Sequence, residues 1–143
     1  MGMIYLLLSG VGILVKIAIV GSRRRFSDDD QMSVIKTFDN ILTNTTLLNY
    51  KRQYGDIHLV SGGCSRGADI WADTLAKIRG TPITTYHAAW QLYGRGAGPI
   101  RNTFIAKDSD ILIACVAPDR TGGTEDTIRK FKEYHPDGKL IIV

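Results

Sequence analysis

Short apolar runs alternate with helical periodicities along the chain. Residues 16–20 read KIAIV, rich in β-branched residues, and end at Gly21. Such a run predicts a buried parallel strand that gives way to a loop. Ser27 followed by Asp28, Asp29 and Asp30 predicts a helix start, because a capping hydroxyl and first-turn acids complement the helix dipole. Met32, Ile35, Phe38, Ile41 and Leu42 continue it at helical spacing. A second strand is predicted over residues 57–60, broken by Ser61, Gly62 and Gly63. A second helix follows, carrying Ala68, Trp71, Ala72, Leu75, Ala76 and Ile78 and stopped by Gly80. Residues 82–86 read as a third strand. A glycine-rich loop over 93–98 then leads to Pro99, which suits the first turn of a third helix reaching Ser109. Residues 110–116 are the fourth strand, 125–134 a fourth helix and 139–143 the last strand.

Strands and helices in strict alternation, joined by short loops, predict an α/β fold: a three-layer, Rossmann-like parallel sheet with right-handed crossovers and strand order 3-2-1-4-5. Ligands in such sheets bind at the carboxyl ends of the strands, around the switch point between strands 1 and 4. The glycine clusters fall on that side.

Length and composition fit this picture. The 143 residues make one domain, and 44% hydrophobic with 22% charged residues is ordinary for a globular chain. Residues 1–15 are almost wholly apolar, yet lack a basic leader and a cleavage site, and fall short of a membrane span. They read as a peripheral extension or a start assigned too far upstream, with the domain occupying residues 16–143 and no membrane partner. Cys64 and Cys115 stand far apart outside any paired motif, which fits a reducing, cytoplasmic setting. His58, His87 and His135 have no ligand-like spacing, so no metal is expected. The net charge of +4 is too small and too dispersed to argue for nucleic acid.

Four loops carry candidate chemistry. Gly21, Ser22 and Arg23 follow strand 1, where glycine allows close backbone approach and the serine offers a hydroxyl. Ser61, Gly62, Gly63, Arg66, Gly67 and Asp69 surround the start of helix 2, whose dipole and unsatisfied N–H groups favour an anion. This loop is neither a P-loop nor the standard dinucleotide fingerprint, and no separate cofactor is expected. Asp69 serves either to brace this loop or to meet a ribose hydroxyl. In the third loop Gly96 and Gly98 let the chain fold tightly, while Arg101 and Asn102 lie just beyond; a guanidinium there can fork onto phosphate. Trp90, beside it, can stack on a base, whereas Trp71 reads as core. In the fourth loop Gly122, Gly123 and Thr124 precede Glu125 and Asp126. Cys64 reads as a small loop residue.

Taken together, GSR after strand 1, SGGCSRGAD after strand 2, YGRGAGPIRN before helix 3 and GGT before helix 4 resemble the SLOG superfamily, over essentially residues 16–143. The closest likeness is to its small single-domain bacterial and phage members. The resemblance implies a Rossmann-like domain that binds a nucleotide or nucleotide derivative, often as a homo-oligomer that completes the site. It is compatible with a binding or sensing role. The superfamily also holds the Lonely-guy phosphoribohydrolases, whose catalytic arginine precedes a strand-opening aspartate by the spacing that Arg101 and Asp110 keep. Their acid corresponds to Asp126 here, with Glu125 beside it. On that alternative these acids would stabilise an oxocarbenium-like ribose during N-glycosidic hydrolysis. The chain departs from that branch in lacking a Pro-Gly-Gly start to the fourth loop and in having Thr127 where a second acid is usual. Single-stranded DNA binding, as in the DNA-processing A branch, ranks third, because no aromatic-basic interleaving supports it.

Overall fold

A computed structural model describes residues 15–43 and 57–143. The expectation of a peripheral extension concerns residues that lie almost entirely outside this range. Five strands form one parallel sheet: β1 (Val15–Gly21), β2 (Ile57–Ser61), β3 (Ile83–Thr85), β4 (Ile111–Cys115) and β5 (Lys139–Ile142). Their order is β3-β2-β1-β4-β5, the order expected from the alternation of elements.

The period-two alternation of side chains along each strand feeds two separate cores. Ile17 and Ile19 of β1, Leu59 of β2, and Ile111 and Ile113 of β4 face helices α1 (Asp28–Thr43) and α2 (Ala68–Arg79). There they meet Val34, Phe38, Trp71 and Leu75. On the opposite face Ala18 and Val20, Val60, and Leu112 and Ala114 meet Ile105 and Ala106 of α4 (Ala97–Lys107). Ile128 and Phe131 of α5 (Gly123–Tyr134) complete that layer. A central strand buried on both faces has no polar side to show, which is why β1 and β4 read as continuous apolar runs. Trp71 is 3% exposed and stacks on Phe26, a core position as expected.

Helix α1 starts where the hydroxyl and acids placed it. Ser27 Oγ accepts the Asp30 N–H at 3.1 Å, and Asp30 Oδ2 accepts the Ser27 N–H at 3.2 Å, a reciprocal capping box. Helix α2 begins at a different kind of junction. A Cβ on Gly21 would sit 2.7 Å from the Ala68 Cβ, so glycine at the end of β1 lets the first turn of α2 come down onto the strand. Gly67, at φ +87°, makes the preceding corner against the Ser22 carbonyl.

The stretch after β3 departs from the expected open loop. A single-turn helix α3 (Trp90–Tyr93) leads into a 3₁₀ turn (Gly94–Gly96), and α4 opens at Ala97, two residues before Pro99. The cause is tertiary: Ala97 is buried, and the Trp90 ring packs so close to Gly98 that a Cβ there would lie 3.4 Å from it. The other boundaries shift by one or two residues, β1 beginning at Val15 and α5 at Gly123. No helix of the described residues is long and apolar enough to cross a membrane.

Candidate functional site

Beyond the carboxyl ends of β1 and β4, where the crossovers diverge to opposite faces of the sheet, lies a cleft of about 270 Å³. Each wall comes from a loop or a helix start. Gly21, Ser22, Arg23 and Arg24 extend from β1, and Cys64 and Asp69 come from the corner before α2 and its first turn. Arg101, Asn102 and Ile105 project from α4, and Thr121, Gly122, Gly123, Thr124 and Thr127 belong to the loop and start of α5.

Arg101 is held at two points. Its Nη1 donates to the Gly62 carbonyl at 2.6 Å, and its Nε donates to Asn102 Oδ1 at 3.1 Å. The remaining N–H groups of the guanidinium have no partner among the described residues. Gly62 is the residue that permits this: a Cβ there would fall 2.9 Å from Asp69 Oδ2 and 3.0 Å from Arg101 Nη1. Asn102, 6% exposed, ties α4 to α5 by donating from Nδ2 to the Gly123 carbonyl at 3.3 Å and to Asp126 Oδ2 at 3.1 Å.

Asp69 braces the corner before α2 by accepting the Cys64 N–H at 3.1 Å on Oδ2. Burial raises its carboxyl to about 6, against the lowering effects of that N–H and of Arg101. Ser61 shapes the same corner from below: it is fully buried, accepts the Gly63 N–H at 3.2 Å and donates to the Asp69 carbonyl at 3.3 Å.

The three consecutive arginines have three different fates. Arg23 lines the cleft, its Nε donating to Cys64 Sγ at 3.1 Å. Arg24 forks onto Asp119 at 2.8 and 2.7 Å and donates to Thr121 Oγ1 at 2.8 Å, a clasp that joins the β1 and β4 loops along one side of the cleft. Arg25 turns inward, donating to Asp30 at 2.6 Å and to the Val116 carbonyl at 2.8 Å. The helix starts around the cleft differ from that of α1 in that Gly67 and Gly122 precede α2 and α5 with no side-chain cap. Thr124, 7% exposed, borders the cleft together with Gly122 and Gly123 at the start of α5.

Of the residues singled out in the sequence, Gly21, Ser22, Arg23 and Asp69 line the cleft, as do Arg101, Asn102, Gly122, Gly123 and Thr124. Ser61, Gly62, Gly63 and Gly67 stand behind them and shape the backbone. Arg66 lies outside, donating to the Arg23 carbonyl at 3.0 Å with its guanidinium over the Phe26 ring. Trp90, Gly96 and Gly98 belong to the α3–α4 turn and do not line the cleft. Glu125 is occupied by Arg120 at 2.9 Å. Asp126 is ringed by Arg129 at 2.7 Å, Lys130 at 2.8 Å and Asn102. Burial alone would raise the Asp126 carboxyl, but Lys130, Asn102 and Arg129 together hold it below its ordinary value. Asp110 sits at the opposite end of the sheet, where its Oδ2 accepts the Lys16 N–H at 2.8 Å.

Sequence reasoning passed over Arg24, Thr121, Thr127 and Ile105 as cleft residues and took Cys64 for a plain loop residue. Arg24 carried a signal as a member of the Arg23-Arg24-Arg25 run, and Thr121 as the residue that opens the fourth glycine loop. Among the described residues no group of three or more His, Cys, Asp or Glu side chains gathers as a metal would require. Fold and site together define a Rossmann-like α/β domain with an arginine-bearing cleft at the switch point of its sheet. A scan against protein-family models finds no match to the chain, and a search of curated proteins likewise finds none.

Proposed function

We propose that this chain binds a phosphate-bearing nucleotide or nucleotide derivative in the switch-point cleft, as a binding or sensing domain of the SLOG type. One observation carries the reading: the uncapped start of α5 and the guanidinium groups of Arg23 and Arg101 line the same small cleft. Backbone N–H groups at a helix start and a guanidinium with unused donors both favour a phosphate, the first through the helix dipole and the second by forked hydrogen bonds. Arg24 contributes less, because Asp119 already neutralises it.

A phosphoribohydrolase on the same fold is the second reading, favoured by Arg101 and Asn102 in the cleft wall. It ranks lower because both acids it would use are engaged elsewhere, Glu125 with Arg120 and Asp126 with Arg129 and Lys130. Asp126 serves the cleft through Asn102, which it helps to hold.

The test is a thermal-shift series with nucleoside monophosphates, NAD, ADP-ribose and cyclic nucleotides, with chromatography of each mixture afterwards. A ligand present at a hundred times its Kd stabilises by about 2.7 kcal/mol, which raises the melting temperature by roughly 5–10 °C in a domain of this size. A selective shift with intact ligand, lost in Arg101→Gln, supports the binding role. Release of free base and ribose 5-phosphate would move the chain to the hydrolase reading, and no shift with any of these ligands would overturn both.

A further inference from the structure

Asp69 is a buried carboxylate, 6% exposed, that lines the cleft and is used by the protein on one side only. Its Oδ2 accepts the Cys64 N–H, and Oδ1 has no hydrogen-bond partner among the described residues. An ionised carboxylate offers about four acceptor positions, and buried polar groups left unmatched are costly. Arg101 does not fill the gap, since its bound N–H groups go to Gly62 and Asn102. Arg23 turns its Nε to Cys64, and Asp73, on the same helix, can only repel. The open position therefore calls for a donor from a ligand.

Geometry limits what that donor is. A Cβ on Gly62 would lie 2.9 Å from Asp69 Oδ2 and 3.0 Å from Arg101 Nη1, so the carboxylate and the guanidinium flank the same glycine. A ligand that satisfies both must carry a hydrogen-bond donor only a few bonds from its anionic group. A sugar hydroxyl beside a phosphate meets that condition, and the amino group of a distant base does not.

We propose that Asp69 accepts a ribose hydroxyl of the ligand and thereby makes the cleft selective for ribose phosphates over the 2′-deoxy or 3′-deoxy sugar that lacks that hydroxyl. This rests on the reading that a nucleotide derivative binds in the cleft, and it adds to that reading the part of the ligand that is recognised and the residue that recognises it. The anion sites bind the phosphate of either sugar. The carboxylate separates them, because a site built to meet a hydroxyl is left with an unmatched buried acceptor when the hydroxyl is missing.

The experiment is titration calorimetry of the whole chain with the four ribonucleoside 5′-monophosphates, their 2′-deoxy and 3′-deoxy counterparts, and inorganic phosphate. The expected result is binding of at least one ribonucleotide, at least tenfold tighter than one of its two deoxy forms. The ratio collapses to about one in Asp69→Ala and falls in the isosteric Asp69→Asn, which serves if the alanine variant does not fold. Equal binding of the ribonucleotide and both deoxy forms by the unaltered chain would overturn the assignment of Asp69 while leaving nucleotide binding intact. A ratio that survives in a folded Asp69→Ala chain would overturn it too, by placing the acceptor elsewhere. Binding of none of these probes would overturn the selectivity together with the reading beneath it.

Discussion

At Asp69 burial and charge act against each other. Burial, the largest influence, raises the carboxyl to about 6, while the Cys64 N–H, Arg101 and Arg23 lower it and Asp73 adds to the rise. A carboxyl whose folded pKa lies above its unfolded value binds its proton more tightly in the native state. Its contribution to stability therefore falls as pH climbs from about 4 to about 6 and stays at its lowest above that. The span corresponds to a penalty on the order of 2–3 kcal/mol at neutral pH. Asp69→Asn keeps an acceptor for the Cys64 N–H and removes the charge. We expect it to be at least as stable as the parent chain in urea unfolding at pH 7.5, with a flatter pH dependence between 4 and 6. A variant more than about 1 kcal/mol less stable at pH 7.5 would show that the corner needs the charge. Gly62 is the complementary case. A methyl group there would lie 2.9 Å from Asp69 Oδ2 and 3.0 and 3.3 Å from Nη1 and Cδ of Arg101, side-chain atoms that can shift, so Gly62→Ala should fold with a modest loss of stability. Because Arg101 must then move off the Gly62 carbonyl, phosphate-bearing ligands should bind at least tenfold more weakly, read by the same calorimetry. Undiminished binding would mean that the position of Arg101 is immaterial.

The helices around the sheet divide by how their first turns are satisfied. Helix α1 closes on itself through Ser27 and Asp30, with Arg25 clamping Asp30 from the side. For Asp30 burial acts upward, but the Arg25 bond and the Ser27 bonds prevail and keep the carboxyl below its ordinary value. Ser27→Ala should therefore cost about 1 kcal/mol, seen as a melting temperature lower by a few degrees, with ligand affinity unchanged. A variant that melts with the parent would show that Arg25 alone secures this helix start. The ends of α1 and α2 were readable from the sequence because their signals are local: a serine three residues before an aspartate, a glycine in the left-handed region at position 80. The turn over residues 90–98 was not readable. Its three glycines suggest an open loop, whereas contact of Trp90 with Gly98 and burial of Ala97 wind it into helix. The fates of Arg23, Arg24 and Arg25 were equally hidden, since Asp119 lies 95 residues from Arg24 and Val116 lies 91 from Arg25. Neighbours in sequence cannot announce partners that only the β1–β4 pairing brings near.

Across the whole molecule the parallel sheet has two unlike ends. All five strands point the same way, so every loop that leaves a carboxyl end arrives on the cleft side, and every amino end gathers on the other. That far end carries its own polar cluster. Asp110 accepts the Lys16 N–H, and Asp108 takes both the Lys16 ammonium and the Tyr86 hydroxyl, the latter at 2.7 Å. The bond to Asp108, with burial adding to it, pushes the Tyr86 phenol up to about 12, so Tyr86 stays protonated and donates throughout the ordinary pH range. Arg101 and Asp110 are close in the sequence, but α4 runs antiparallel to the strand that follows and carries the two to opposite ends. This separation makes the two ends independent under mutation, since sites far apart with no shared partner contribute additively. Asp110→Ala should lower stability by about 1–2 kcal/mol in urea unfolding and leave ligand affinity within twofold. Arg101→Gln should do the reverse, and the double variant should show both losses in full. Coupling between them, in either stability or affinity, would mean that α4 transmits strain along its length and that the cleft depends on the far edge of the sheet.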